Sequence, residues 1–456
     1  MPEPEGREAM ERAVEKVRAL LSGRAAALPA DLAELHAADL ADIWARLEDE
    51  ERDLFFDLLP AQTAATVLSI IEKPDETELV RSLDEEELSD LLEEMPSDDA
   101  AEIVGDLPDK LAERVLDLME DEDSAEVQKL LQYPEDSAGR LMTTDFLALP
   151  ASMSAGEALR RAGQASHEIE MISVIYCIDE RRRLTGVLSL RELLGADPAS
   201  PLSAIMELDL VSVPAEEDQE EVARVVARYD LLCVPVVDHR GVILGIVTVD
   251  DVIDVITEEA TEDIYRMGGT DDEELFSRSP LHVARVRLPW LITCLIGGMA
   301  AATILRTLRS TLDANLALVF FVPIITGMGG NVGIQSSTIV VRGLATGRVH
   351  ATGLVRVLLR EVRVGAIMGV ACGIVVGLAG LLLADQNLVI GAIVAIAMFC
   401  AITVAATVGT IAPLTFRALG LDPAIAAGPF VTTANDVTGL IIYLSLASYM
   451  LGRLVA

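Results

Sequence analysis

Residues 428–444 read GPFVTTANDVTGLIIYL, and between Ala424 and Gly452 Asp436 is the only Asp, Glu, Lys, Arg or His. A carboxylate at the centre of a bilayer costs about 2.5–3.5 kcal/mol on insertion scales, so it needs a compensating partner. Thr432, Thr433 or Asn435 could supply one by hydrogen bonding inside a helix bundle. The other partner is a cation in an aqueous path. If two copies of the chain meet on a two-fold axis, two Asp436 carboxylates face each other and repel unless a cation lies between them. That favours a divalent ion.

A second stretch, PIITGMGGNVGIQSS at 323–337, offers uncharged oxygen atoms. Gly327, Gly329, Gly330 and Gly333 leave backbone exposed and let helices approach, while Asn331 and Gln335, four apart, share one helix face. The expectation is a single pore-lining face that carries the glycines and both amides. A third cluster is DDVIDVITEEATEDIY at 250–265. On a helix, Asp250, Asp254, Glu258 and Glu262 form an i,i+4 stripe, while Val252, Ile256, Ala260 and Ile264 line another face. Each like-charge neighbour pair is destabilising by about 0.2–0.5 kcal/mol. A solvated helix face tolerates that cost, but this stripe leads straight to the first apolar segment, and two such rows in a dimer need divalent counter-ions.

The elements that must position these residues fall into two solvents. Residues 281–456 hold 11 Lys/Arg and 5 Asp/Glu, a net +6, whereas the first 280 hold 24 basic and 68 acidic groups, a net −44. Five segments, near 287–305, 314–341, 362–384, 388–416 and 424–451, are long and apolar enough to cross a bilayer, which takes about 20 residues. Arg285 and Arg287 precede the first; Arg342, Arg348, Arg356, Arg360 and Arg363 follow the second; Arg417 lies between the fourth and fifth. Basic loops stay inside, so the expected N-terminus is cytoplasmic and the C-terminus external, with ADQN (384–387) outside. Arg306 and Arg309 are the exceptions. Nothing at the N-terminus has the form of a signal peptide. Five helices enclose little space, and a closed two-fold homodimer, the commonest assembly, is the natural way to build a path.

The acidic part begins with helical repeats. LPAQTAATVL (59–68), MPSDDAAEIV (95–104) and LPDKLAERVL (107–116) share one pattern of apolar, Pro, polar and then helically spaced apolar residues, as in a stacked superhelix. From about 137 the period changes. MISVIYCIDERRRLTGVLSLREL (171–193) and LLCVPVVDHRGVILGIVTVDDVI (231–253) each give strand, turn, strand and helix start, and GVLSLRE (186–192) matches GIVTVDD (245–251) in residue type. Two tandem β-α modules follow. The negative charge argues against a nucleic-acid partner. The five cysteines and five histidines are scattered without zinc spacing, and no P-loop, HExxH or Ser/His/Asp constellation points to an enzyme.

The β-α pair resembles CBS domains. The order of repeat domain, CBS pair, acidic helix and five spans, with GMGGNVGIQ (327–335) and NDVTGLIIY (435–443), resembles the MgtE family of magnesium channels over nearly the whole chain. YPEDSAGRLMT (133–143) and EEATEDIYRMGG (258–269) are similar to that family's linker and connecting segment. The resemblance implies a multidomain fold: an all-α helical-repeat domain (1–132), an α/β tandem CBS pair (137–200 and 201–258), an acidic connecting helix (259–281) and a five-helix transmembrane domain (282–456). It implies a homodimer in the inner (plasma) membrane, in contact with lipid, whose pore carries Mg²⁺ and closes when cytosolic Mg²⁺ binds. Asp436 would hold the hydrated ion. Asn331, within the pore-side stretch Ala317–Gln335, would line the path, and Asp422 would lie at its cytoplasmic mouth. The sensor carboxylates would be Asp98, Glu102, Asp230, Asp251, Asp254, Glu259, Glu262 and Asp263. An adenine nucleotide such as ATP is the ligand implied for the CBS cleft, at Ser189, Glu192, Thr248 and Asp251. Glu192 stands where Asp is more usual, and Val174 where an aromatic can stand. The competing readings are a carrier of Co²⁺ or Mn²⁺ and a membrane-anchored nucleotide sensor.

Overall fold

The computed structural model describes residues 4–23, 28–71, 73–165, 169, 171–271, 274, 279–349, 353–383 and 387–455. The chain divides into two compact units, Met1–Val255 and Ile256–Ala456. The expected outer loop 384–387 lies, except for Asn387, outside the described residues.

The first unit opens with short helices stacked from Pro4 to Leu130. Pro60, Pro96 and Pro108 occupy the N-caps of the helices Ala61–Ile70, Ser97–Asp106 and Asp109–Leu118. At that position the missing N–H removes nothing from the helix ladder, and the extended backbone that proline favours turns the chain into the next helix. The repeated apolar positions then face inward, burying Leu40, Ile43, Trp44, Phe55, Leu68, Leu88, Leu92 and Leu130.

Two three-stranded sheets follow, built alike. In the first, β1 (Ala148–Pro150) pairs parallel with β2 (Val174–Ile178), which pairs antiparallel with β3 (Leu184–Ser189). In the second, β4 (Val213–Pro214), β5 (Cys233–Val237) and β6 (Ile243–Thr248) repeat that order. Even the register shift recurs, at Cys177/Ile178 and at Val236/Val237. The sequence repeat is thus a structural repeat. Bridges Arg183↔Val242 and Thr143↔Ile246 tie the linker and first module to the second.

The acidic helix differs from expectation in extent. It runs unbroken from Val249 to Gly268, taking in the whole of 250–265, and Gly269, at φ +73°, ends it in the left-handed region open to glycine, short of the expected 281; residues 272–273 and 275–278 of that segment lie outside the described residues. Its apolar line differs too. Val252 and Val255 are buried, whereas Ile256 and Ile264 of the expected face are exposed, as is Ile253.

Among the described residues the second unit contains five helices long and apolar enough to cross a membrane: Pro280–Thr307, Leu316–Ala345, Leu354–Leu383, Leu388–Ala418 and Ala424–Gly452. The third lays a buried row of Gly365, Gly369, Gly373, Gly377 and Gly380 on the fourth, close enough that a Cβ at Gly373 would meet the Ala395 carbonyl at 2.7 Å. Small residues at four-residue spacing permit such backbone contact. The second helix crosses the fourth where a Cβ at Gly409 would stand 2.3 Å from the Gly333 carbonyl oxygen. Leu318, Phe321, Ile325, Ile393, Ile402 and Tyr443 fill the centre. Tyr443 donates its hydroxyl to the Leu318 carbonyl at 2.8 Å. The first helix packs on the fifth through Gly297 and Thr433, and leaves Leu288, Leu291, Leu295, Ile296 and Met299 exposed.

Candidate ion path and metal-binding carboxylates

The fifth helix presents Val431, Thr432 and Asn435 to the glycines of the second helix, and Thr433 to Gly297 of the first. At 100° per residue, Asp436 falls between these two contact faces. It is half-buried, and among the described residues its carboxylate takes no hydrogen bond or ion pair. The internal alternative, a carboxylate satisfied by Thr432, Thr433 or Asn435, is therefore absent. Thr432 donates instead to the Gly428 carbonyl, and the Asn435 amide donates to the Gly329 carbonyl at 3.3 Å. Asn435 Oδ1 is buried with no partner among the described residues.

The second helix corrects one expectation. Gly329, Gly330 and Gly333 are buried packing residues, whereas Asn331 and Gln335 lie on the opposite, exposed side with Gly327, whose surroundings are open. The glycines and amides thus do not share a single face. The exposed side offers two amides and accessible backbone, and the buried side sets how closely the fifth helix approaches.

Asp422 lies just before the fifth helix. Its Oδ1 accepts the Ala424 N–H at 2.7 Å, and its Oδ2 accepts from Arg266 Nη1 at 2.6 Å. Arg266 also pairs with Glu262, one turn earlier on the acidic helix. One guanidinium therefore bridges two of the expected metal ligands. Beside it, the Met267 carbonyl presses on Gly428, where a Cβ would meet it at 2.1 Å. The end of the acidic helix is thus seated on the start of the helix that carries Asp436.

In the first unit, Asp98 and Glu102 lie one turn apart on the helix Ser97–Asp106. Glu102 pairs with Lys73 at 2.9 Å. Asp254 is held above the usual carboxylate range by desolvation and then by the charges of Glu102 and Asp250, so carboxylates of two elements already repel there. A cation would reverse that sign. Asp230 is exposed in a left-handed conformation at a helix C-cap; on the acidic helix Asp250 and Glu258 are exposed, and Glu259 and Asp263 are part-buried. Among the described residues no three His, Cys, Asp or Glu side chains converge to hold a metal within a single chain.

Comparison with known proteins assigns most of the chain to family domains. Residues 322–446 match the MgtE divalent cation transporter domain, 35–136 the MgtE intracellular N domain, and 138–199 and 202–258 the CBS domain. The magnesium transporter MgtE of Thermus thermophilus is 39% identical over 455 residues, covering 96% of this chain and 98% of that one. The chain belongs to the MgtE family of magnesium transporters. The Bacillus subtilis magnesium transporter MgtE is 34% identical over 415 residues, covering 91% and 92%. The crystal structure of the soluble part of a magnesium transporter aligns with TM-score 0.51 at 30% identity, over 55% of this chain and 99% of that one.

In this MgtE chain the first CBS motif forms a reciprocal helix cap, and the second holds its carboxylate within the motif. The Ser189 hydroxyl donates to Glu192 at 2.8 Å and accepts the Glu192 N–H at 3.2 Å, and this bond, with the Ser189 N–H, holds the Glu192 carboxyl below its ordinary range. Thr248 donates to Asp251 Oδ2 through its hydroxyl at 2.5 Å and its N–H at 3.2 Å. The first motif thus satisfies its helix terminus internally. Val174, paired with Ser189 across the strands, adds no aromatic surface there. Two residues escaped sequence reasoning. Arg266 had a signal, its four-residue spacing from Glu262. Glu361 had almost none, lying between Arg360 and Arg363. It is 3% exposed, accepts the Ser336 hydroxyl at 3.1 Å and fastens the third membrane helix to the second.

Proposed function

We propose that two copies of this chain form a Mg²⁺ channel whose path runs along their shared two-fold axis in the plasma membrane, with the acidic N-terminal part in the cytoplasm. The observation that carries the reading is Asp436, a half-buried carboxylate on a membrane helix without a partner among the described residues. Both relatives are named magnesium transporters. Mg²⁺ demands near-octahedral oxygen coordination and sheds water reluctantly. Two Asp436 carboxylates holding the ion through its water shell balance its charge without dehydrating it, and Asn331 and exposed backbone of the second helix supply neutral oxygen around the path. An anchor-only nucleotide sensor leaves Asp436 with no purpose.

Closure follows from charge. With a net −44 over the first 280 residues, two cytoplasmic parts repel when no dication is present. Mg²⁺ shared among Asp98, Glu102, Asp230, Asp250, Asp251, Asp254, Glu258, Glu259, Glu262 and Asp263, and at Asp422, draws them together. A ligand shifts such an equilibrium only by its differential affinity, and carboxylates that are paired in the closed state alone provide it. The end of the acidic helix, seated on Gly428, transmits the change to the fifth helix. The parts that move are those bounded above at 132, 137, 200, 258 and 281. Two measurements test this reading. An Asn331→Cys variant should form a disulfide-linked dimer in membranes, and protease protection of residues 31–281 should increase with millimolar Mg²⁺. A chain that never cross-links at Asn331 and whose digestion ignores Mg²⁺ contradicts it.

A further inference from the structure

The tips of the two CBS hairpins meet in the first unit. The β2–β3 tip carries Arg181, Arg182 and Arg183, and the β5–β6 tip carries His239 and Arg240. The tips are joined by the Leu184 N–H on the Gly241 carbonyl at 2.9 Å and the Ile243 N–H on the Arg182 carbonyl at 3.4 Å. Arg183 is engaged with Asp179, to which its Nε donates at 2.8 Å. Arg182, at φ +60°, lines a cavity of about 350 Å³. Lys129 and Glu126, on the helix Asp121–Leu130, form another side, and Thr144, Phe146 and Val242–Leu244 complete it.

Two features make this cavity unlike its surroundings. Its lining holds two cations and one carboxylate, and that carboxylate, Glu126, already accepts the Thr144 hydroxyl at 2.8 Å. Asp145, between Thr144 and Phe146, and Asp123 add their charges to the Glu126 side, so Lys129 and Arg182 are the two groups of the lining that an anion would meet. Its wall is apolar and partly flat: Phe146 is braced edge-on against Tyr176, with ring centroids 5.9 Å apart, beside Val242, Ile243 and Leu244. Small-molecule sites of about 300–1,000 Å³ combine such a wall with a few convergent polar groups. Arg and Lys are the side chains that recognise phosphate, the first bidentately.

We propose that this cleft binds a small organic phosphate of nucleoside-monophosphate size, its phosphate between Lys129 and Arg182 and its planar body against Phe146. The cleft shares no residue with Ser189, Glu192 or Thr248, so it is separate from the CBS-motif positions. Because Lys129 belongs to the helical domain and Arg182 to the CBS pair, the ligand fastens one to the other. The binding does not depend on the ion path.

The test is equilibrium dialysis of AMP, adenosine and inorganic phosphate against the full chain in detergent, with EDTA present. AMP should bind saturably, and adenosine and phosphate at least about tenfold more weakly, since each offers half of the contact. Lys129→Gln with Arg182→Gln should weaken AMP binding at least about tenfold; both residues are exposed, and an unchanged melting temperature confirms the fold. Three results overturn the proposal: no saturable AMP binding at millimolar concentration, undiminished binding by the double variant, or loss of binding through Ser189→Ala and Thr248→Ala instead.

Discussion

Arg266 bridges two of the proposed metal ligands, and removing it has a calculable consequence. Its guanidinium bridges Glu262 and Asp422, the latter at 2.6 Å with side chains 43% and 23% exposed. An exposed pair is worth about 0–1 kcal/mol and a charged hydrogen bond about 1.5–3 kcal/mol. For this half-buried pair, about 1 kcal/mol is a fair value, and that corresponds to about fivefold in an equilibrium constant. If Mg²⁺ at Asp422 and Glu262 must first displace Arg266, then Arg266→Gln should lower the Mg²⁺ concentration for half-maximal closure about fivefold. Arg266→Lys keeps a cation but loses the planar fork, so it should fall between parent and Gln. The assay is limited proteolysis of the full chain across a Mg²⁺ series, with melting temperatures as the control. A midpoint that stays put or rises in Arg266→Gln means that the arginine fastens the acidic helix instead of competing with the ion, and refutes the reasoning.

Three further predictions concern stability. Burial first, and then the charges of Glu102 and Asp106, push the Glu76 carboxyl up to about 7 from an ordinary 4.5. Below 4.5 the folded and unfolded states are both protonated. As pH rises from 4.5 to about 7 the unfolded chain alone loses its proton, so stability falls and then levels off, by about 3 kcal/mol in all. Glu76→Gln should flatten this contribution and stabilise the chain at pH 8 in urea denaturation; an unchanged pH profile contradicts it. Gly409→Ala forces a methyl onto the Gly333 carbonyl and should cost about 1–3 kcal/mol, read as a lower melting temperature in detergent. Glu361→Ala leaves a cavity and an unsatisfied Ser336 hydroxyl, a loss of about 2–4 kcal/mol, checked the same way; a neutral result denies the third helix its fastening.

How much was legible depended on whether the signal was local. The five spans are read from apolar length alone, and the CBS pair from the recurrence of GVLSLRE (186–192) as GIVTVDD (245–251). The division of glycines was available too, since Gly327 and Gly329 stand 200° apart on a helix, yet a shared motif concealed it. The limits of the acidic helix turned on Gly269 at positive φ, a conformation that composition does not announce. Arg266 and Asp422 are 156 residues apart, and no spacing rule spans that distance. Lys73 meets Glu102 for the same reason only in the folded domain.

The central claim is that Asp436 serves an ion passing between two copies of the chain. Mg²⁺ uptake into proteoliposomes, measured for the parent, Asp436→Asn and Asp436→Ala at equal reconstitution, tests it most directly. Rapid flux is expected in the parent, and near-complete loss in both variants, because the isosteric amide keeps the shape but not the charge. Flux in Asp436→Asn equal to that of the parent would contradict it.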